Sequence, residues 1–258
     1  MFSRRGFAIG ALVALATVTL VACGQGGGGL YQAPSPSSTD GLPPSASETG
    51  AAGSAIVIES PTEGETVSVP FTVSGEANTF EAALTVEVVD QSGTGMCVRQ
   101  LMATSGSGTP GTWEGTLAFP PEVDALPVVL RAYARSAKDG SIIDLVEYPI
   151  TIAPDRPPII LTSPACYQVY DPGGLMMVTG TAALFEAALT VDVRDASGAT
   201  VATLQVTAEE CCVESNFSSR LTLPADIPPG LYDVVAYSLS AKDGSVENEF
   251  PVQIEVRG

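Results

Sequence analysis

The side chains best equipped for chemistry in this chain are five cysteines: Cys23, Cys97, Cys166, Cys211 and Cys212. Histidine is absent. That removes the Ser-His-Asp and Cys-His nucleophile pairs and any His-ligated zinc. Beyond Cys23, disulfide formation is the chemistry left to the cysteines, and it suits an oxidising compartment. Four cysteines allow three pairings, and spacing alone does not choose among them. If strands alternate up and down, Cys97 lies just past a loop at the far end of the first half of the chain. Cys211-Cys212 then falls in a loop at the near end of the second half, so a bridge between the halves is one option. Cys166 with Cys211 or Cys212 is the competing bridge within the second half, although alternation sets those loops at opposite ends. Either bridge contributes roughly 4 kcal/mol in the chain-entropy picture. An adjacent Cys-Cys pair resembles a soft-metal site, but with no His and no Cys-x-x-Cys companion no metal or cofactor is assigned.

Other candidates are surface groups. Glu81 and Lys138 fall at the same end of an alternating sandwich, as do Glu186 and Lys242, so two ion pairs closing that end are expected. The functional alternative is a recognition surface made of loops. Tyr167 and Tyr170 occur only in the second half, beside Cys166, and form a candidate binding loop. Trp113 and Phe217 occupy equivalent places and read more simply as core than as sugar-stacking platforms. Tyr133 and Tyr237 are equivalent too, and serve either as exposed contacts or as packing. Asp90 to Gly93 and Asp195 to Gly198 lack the spaced oxygen ligands of a calcium loop and read as turns.

What must position these residues is a duplication. Phe-Glu-Ala-Ala-Leu-Thr-Val occurs at 80–86 and again at 185–191, and residues 77–93 match 182–198 at 12 of 17 positions. Ser-Ala-Lys-Asp-Gly-Ser occurs at 136–141 and at 240–245. The offsets, 105 and 104 residues, are those of a tandem domain rather than a solenoid repeat. In the first copy, apolar runs at 55–59, 67–74, 83–89, 97–104, 112–119, 127–135 and 142–152 are separated by turn chemistry. The second copy repeats them at 158–162, 175–181, 188–194, 200–207, 216–223, 231–240 and 246–256. Leu84, Val86 and Val88 alternate with Thr85, Glu87 and Val89, the period of a half-buried strand. Asp139-Gly140 predicts a two-residue type I′ hairpin. Seven short strands in about 100 residues read as all-β, two tandem immunoglobulin-like seven-stranded sandwiches at 55–153 and 158–257. The Pro-rich bridge at 153–158 predicts a semi-rigid joint with the domains end to end.

The N-terminus reads as an export signal. Arg4-Arg5 supplies charge, and 7–22 supplies an apolar run shorter than the roughly 20 residues of a membrane span. Leu20-Val21-Ala22-Cys23 resembles the bacterial lipobox, which implies a signal peptide at 1–22 and a lipid on Cys23. Ser3 to Phe7 also resembles the twin-arginine export word. Residues 23–54, rich in Gly, Ser and Pro, predict a disordered tether spanning about 30 Å root-mean-square. The formal charge is −18, and loss of Arg4 and Arg5 with the leader leaves 9 basic against 29 acidic residues. Such a field repels nucleic acid and anionic surfaces, so no nucleic-acid partner is expected.

Ser60-Pro61, Gly75-Glu76-Ala77, Phe80-Glu81-Ala82, Asp90, Gly93 and Lys138 to Ser141 together resemble the immunoglobulin-like domain of bacterial spore germination (Gmad-type). The second copy carries the same words at Ser163-Pro164, Gly180-Thr181-Ala182, Phe185-Glu186-Ala187, Asp195, Gly198 and Lys242 to Ser245. The resemblance covers roughly 55–257 and implies no catalytic residues. The expected function is therefore non-enzymatic: a lipid-anchored module at the outer face of a membrane or cell surface. It would bind an envelope protein or act as a spacer; the alternative is binding of cell-wall glycan or peptidoglycan.

Overall fold

Alternation of apolar and polar residues along short runs is what the fold uses. The computed structural model describes residues 55–258. The expected signal peptide, Cys23 and the tether lie outside the described residues. The first sandwich contains β1 (Ile56–Ser60), β2 (Thr66–Val67), β3 (Phe71–Ala77), β4 (Ala83–Val89), β5 (Gly95–Met102), β6 (Gly111–Leu117), β7 (Leu126–Arg135) and β8 (Ile142–Ile152). The second contains β9 (Ile159–Ser163), β10 (Val169–Tyr170), β11 (Leu175–Ala182), β12 (Ala188–Arg194), β13 (Thr200–Thr207), β14 (Ser215–Thr222), β15 (Gly230–Leu239) and β16 (Val246–Val256). Sheet β1-β3-β6 faces sheet β2-β8-β7-β4-β5, and β9-β11-β14 faces β10-β16-β15-β12-β13. Among the described residues all pairings are antiparallel except β2 with β8 and β10 with β16.

The seven expected runs are present in each copy, but among the described residues each sandwich has eight strands rather than seven: the first divides one run, and the second adds β10, which no expected run covers. The run expected at 67–74 breaks at Ser68 to Pro70: β2 joins the five-stranded sheet and β3 crosses to the three-stranded one. Pro70 has no N–H to give to either ladder. The hairpin at 136–141 also differs from the expected two-residue turn. Ser136 N–H bonds the Ser141 carbonyl at 2.8 Å, and Gly140, not Asp139, takes the left-handed φ of 73°. Asp139 instead caps the loop, its carboxylate accepting from Ser141 N–H at 3.1 Å and from the Ser141 hydroxyl at 2.7 Å. Asp243 does the same for Ser245.

Leu84, Val86 and Val88 turn into the first core with Leu130, Ala132 and Trp113, and Leu189, Val191 and Val193 do so in the second with Val234, Ala236 and Phe217. Trp113 and Phe217 are therefore core residues. Each sits over a glycine whose place leaves no room for a side chain unless the backbone shifts. A Cβ on Gly75 would stand 2.0 Å from the Val57 carbonyl oxygen and 2.9 Å from the Trp113 ring. On Gly180 it would stand 2.0 Å from the Ile160 oxygen and 2.6 Å from the Phe217 ring. Tyr133 is buried, with the Arg135 guanidinium 5.4 Å from its ring centre. Arg194 covers Tyr237 at 5.2 Å. The outer sheet faces are thus packed by Arg over Tyr rather than left bare. Both sandwiches fall in one compact unit, and their buried apolar residues are contiguous, although among the described residues no strand pairs across.

Tyr148 gives its hydroxyl hydrogen bond to the Pro61 carbonyl. Burial, followed by the carboxylates of Glu65 and Glu63, pushes its phenol up to about 12. The folded value exceeds the free value of about 10, so this contribution is complete below pH 10 and disappears as pH rises through about 12. Alkaline titration of stability is expected to fall less steeply across that window in Tyr148→Phe than in the natural chain. Gly180→Ala is expected to cost about 3 kcal/mol or more, since the clash is with backbone. Denaturant midpoints check both, and an unchanged Gly180→Ala midpoint would contradict the close approach.

Candidate functional site

Each copy carries a hollow on the outer face of its five-stranded sheet, and equivalent residues line both. In the first, of about 770 Å³, these are Phe80, Glu81, Ala83, Leu84, Thr85, Gln100, Arg135 and Ala137. In the second, of about 460 Å³, they are Phe185, Glu186, Ala188, Leu189, Thr190, Gln205, Leu239 and Ala241. The first is larger because the second sandwich adds a wall, made of Asp195, Ala196, Leu231, Tyr232, Asp233 and Gln253.

A strained turn shapes the rim. Glu81 and Ala82 have φ of 55° and 60°, and Glu186 and Ala187 have 67° and 54°. Left-handed backbone costs non-glycine residues about 1 kcal/mol or more each. Ladder-like bonds hold it: Ala103 N–H to the Ala82 carbonyl at 2.9 Å, and Ala208 N–H to Ala187 at 2.8 Å. The turn buries Ala82 and Ala187 while leaving Phe80 62% and Phe185 75% exposed. Large aromatics held out in water at equivalent places are the feature that strand patterning misses. The signal was available: Phe opens the word that is identical in both copies.

The expected ion pairs do not form. Glu81 and Lys138 reach the same end of the sandwich, as do Glu186 and Lys242, yet none of the four joins an ion pair among the described residues. The left-handed turn holds Glu81 at the exposed rim, and Lys138 extends from an exposed hairpin. Arg131–Glu147 and Arg194–Glu249 make the ion pairs of the outer faces instead, at 2.8 and 2.9 Å. The acidic turns are self-capped: Asp90 accepts from Ser92 N–H, the Ser92 hydroxyl and Thr94 N–H at 2.6–2.8 Å. Those bonds, led by the Ser92 hydroxyl, hold its carboxyl below the ordinary range. Asp195 repeats the arrangement with Ser197 and Ala199.

The cysteines pair differently from either expected option. Cys97 on β5 is joined to Cys166 in the β9–β10 loop, with Cα atoms 5.1 Å apart, while Cys211 and Cys212 are free and exposed. The bridge does cross between the copies. The expected partner was wrong because the sandwiches are not end to end: β5, an edge strand of the first, lies against the outer sheet face of the second. There Arg99 meets Asp233 at 2.6 Å, and the Gln100 N–H donates to the Gln253 side-chain oxygen at 2.7 Å. The Gln253 amide returns a bond to the Gln100 carbonyl at 3.1 Å. Tyr167 accepts from the Gln100 side chain, so the loop expected to bind a ligand binds the first sandwich. Tyr170 is half-buried against the core on β10. Three joint residues differ between the copies, Gln100 being matched by Gln205: β-sheet register places Leu204 at the position of Arg99, Val129 at that of Asp233 and Pro149 at that of Gln253.

A family profile described as the immunoglobulin-like domain of bacterial spore germination matches residues 55–141 and 159–245. No curated protein matches the chain significantly by sequence. Among solved structures, fibronectin(III)-like modules of Clostridium thermocellum CbhA align at 17% identity over 78% of this chain and 94% of theirs, with a TM-score of 0.27. The BSP domain of a biofilm-associated protein aligns at 15% identity over 77% and 29%, TM-score 0.24. Latent PorU from Porphyromonas gingivalis aligns at 11% over 76% and 22%, TM-score 0.28. The chain thus spans under a third of the latter two.

Cys166→Ser is expected to lower stability by about 4 kcal/mol, since the bridge closes a separation of 69 residues. It should also raise protease sensitivity at 153–158. A midpoint equal to that of the natural chain would contradict the cross-linked joint.

Proposed function

The chain belongs to the family of immunoglobulin-like domains of bacterial spore germination, and on that footing we propose that it is a non-enzymatic envelope module that displays two equivalent binding hollows. Lipid on Cys23 would anchor it at the outer face of a membrane, and residues 24–54 would give it reach. The observation that supports binding over passive spacing is the repetition of the hollow: eight equivalent positions line it in each copy. A spacer needs a core and a joint, but it has no use for an exposed Phe on a strained turn, kept twice.

The ligand class favoured is a protein segment. The rim offers an apolar anchor in Phe80 or Phe185, and the floor is polar: Thr85 with Gln100, whose amide already donates to Tyr167, or Thr190 with Gln205, which bond each other. Buried aromatic anchors surrounded by polar groups are the usual source of interface affinity. The same exposed rings favour, as a second reading, a sugar ring of wall glycan. A nucleic-acid ligand is disfavoured by the acidic charge.

Full-length protein in detergent is to be presented to purified cell wall and, separately, to envelope proteins of the source cells. Retention of a discrete envelope protein is expected, with Phe80→Ser plus Phe185→Ser weakening it about tenfold or more. Equal retention by the double variant would refute the hollows, and retention on bare wall alone would favour the glycan reading. Intact mass of the native protein should show an acylated N-terminal Cys23; a free Cys23 thiol would contradict the anchor.

A further inference from the structure

Cys211 and Cys212 take no part in the joint or in either hollow's lining, and both are exposed. Their sulfurs face each other: Cys212 Sγ donates to Cys211 Sγ at 3.1 Å. The loop that carries them is held as its counterpart is. Cys212 N–H bonds the Leu184 carbonyl at 2.9 Å with φ of 67°, as Ser107 N–H bonds Thr79 at 2.8 Å with φ of 55°. Ser107 therefore stands where Cys212 stands, and Gly106 where Cys211 stands. In the first copy no side chain fits there, because a Cβ on Gly106 would lie 2.5 Å from the Thr79 oxygen and 2.7 Å from Ala82 Cα. The second copy has opened this turn to hold a thiol and has placed a second thiol beside it.

We propose that Cys211 and Cys212 form a reversible thiol–disulfide exchange site whose substrate class is a low-molecular-weight disulfide. Cys211, the acceptor of the pair, attacks one sulfur of the disulfide as thiolate. The substrate S–S bond breaks, one thiolate leaves, and a mixed disulfide forms on Cys211. The Cys212 thiol gives its proton to the departed thiolate and attacks the Cys211 sulfur. The second thiolate leaves, taking the proton that Cys211 lost. Two protein thiols and one disulfide thus become one protein disulfide and two thiols. A sulfur contact of this kind suits ring closure better than chelation, since two sulfurs on a tetrahedral ion at about 2.3 Å would stand about 3.7 Å apart. The product joins neighbours whose Cα atoms are about 3.8 Å apart, shorter than the roughly 4.4–6.8 Å usual for disulfides, so it is expected to be labile and reducible.

The full-length protein is to be incubated with oxidised glutathione, blocked with N-ethylmaleimide and digested with trypsin. Cleavage after Arg194 and Arg220 isolates a segment holding both thiols and no other cysteine. That segment is expected to lose two hydrogens, carry no adduct, and regain both thiols under dithiothreitol too mild to open Cys97–Cys166. Cys212→Ser, a change the first copy already accommodates at Ser107, should stop at one glutathionyl group on Cys211. A natural segment that remains a dithiol, keeps glutathionyl groups, or links to a second chain would overturn the proposal.

Discussion

At Glu81-Ala82 and again at Glu186-Ala187 the chain holds two successive non-glycine residues in left-handed backbone, and the displayed surface depends on that strain being sustained. An unstrained connection between β3 and β4 would let Phe80 fold toward apolar neighbours. The turn instead drops the following alanine into the core and holds the ring at the rim. The energy is supplied by what surrounds it: ladder bonds from Ala103 and Ala208, and the burial of Leu84 and Leu189 immediately after. Strain of this kind persists only where the surrounding structure over-determines it, and it concentrates at sites that do work.

The joint answers a different demand. Arg99 and Asp233 meet through one pair of atoms, and Arg99 Nε and Asp233 Oδ1 are buried without a partner. Such orphans cost roughly 1–3 kcal/mol each, so the polar contact alone is a weak clasp. Cys97–Cys166 supplies the rest by closing the loop covalently. Because these residues are the ones in which the copies diverge, the duplicated sandwiches keep a shared surface and have acquired a private interface. One consequence is the unequal size of the hollows, since only the first gains a wall from its neighbour.

The strands and the two domains were legible because Leu84, Val86 and Val88 obey a local rule of alternation, and the turns obey Gly and Asp chemistry. Trp113 and Phe217 could be placed in the core because each copy checks the other. The joint was not legible. It depends on how two finished sandwiches meet, and Cys97, Arg99, Asp233 and Gln253 gave no local sign of facing one another. Alternation placed Glu81 and Lys138 at one end correctly but says nothing of whether two exposed, hydrated side chains will close a gap. The hairpin at 136–141 was misjudged because the Asp139 side chain caps the loop instead of taking the left-handed position.

The most direct measurement uses fluorine-labelled phenylalanine. Of eight Phe in the chain, Phe71, Phe119, Phe217 and Phe250 are buried and Phe80 and Phe185 are exposed. Titrating the full-length labelled protein with whichever envelope protein it retains should shift the Phe80 and Phe185 signals, assigned by substitution, and leave the buried four in place. Binding that moves neither rim signal would contradict the claim that a duplicated sandwich presents the same site twice.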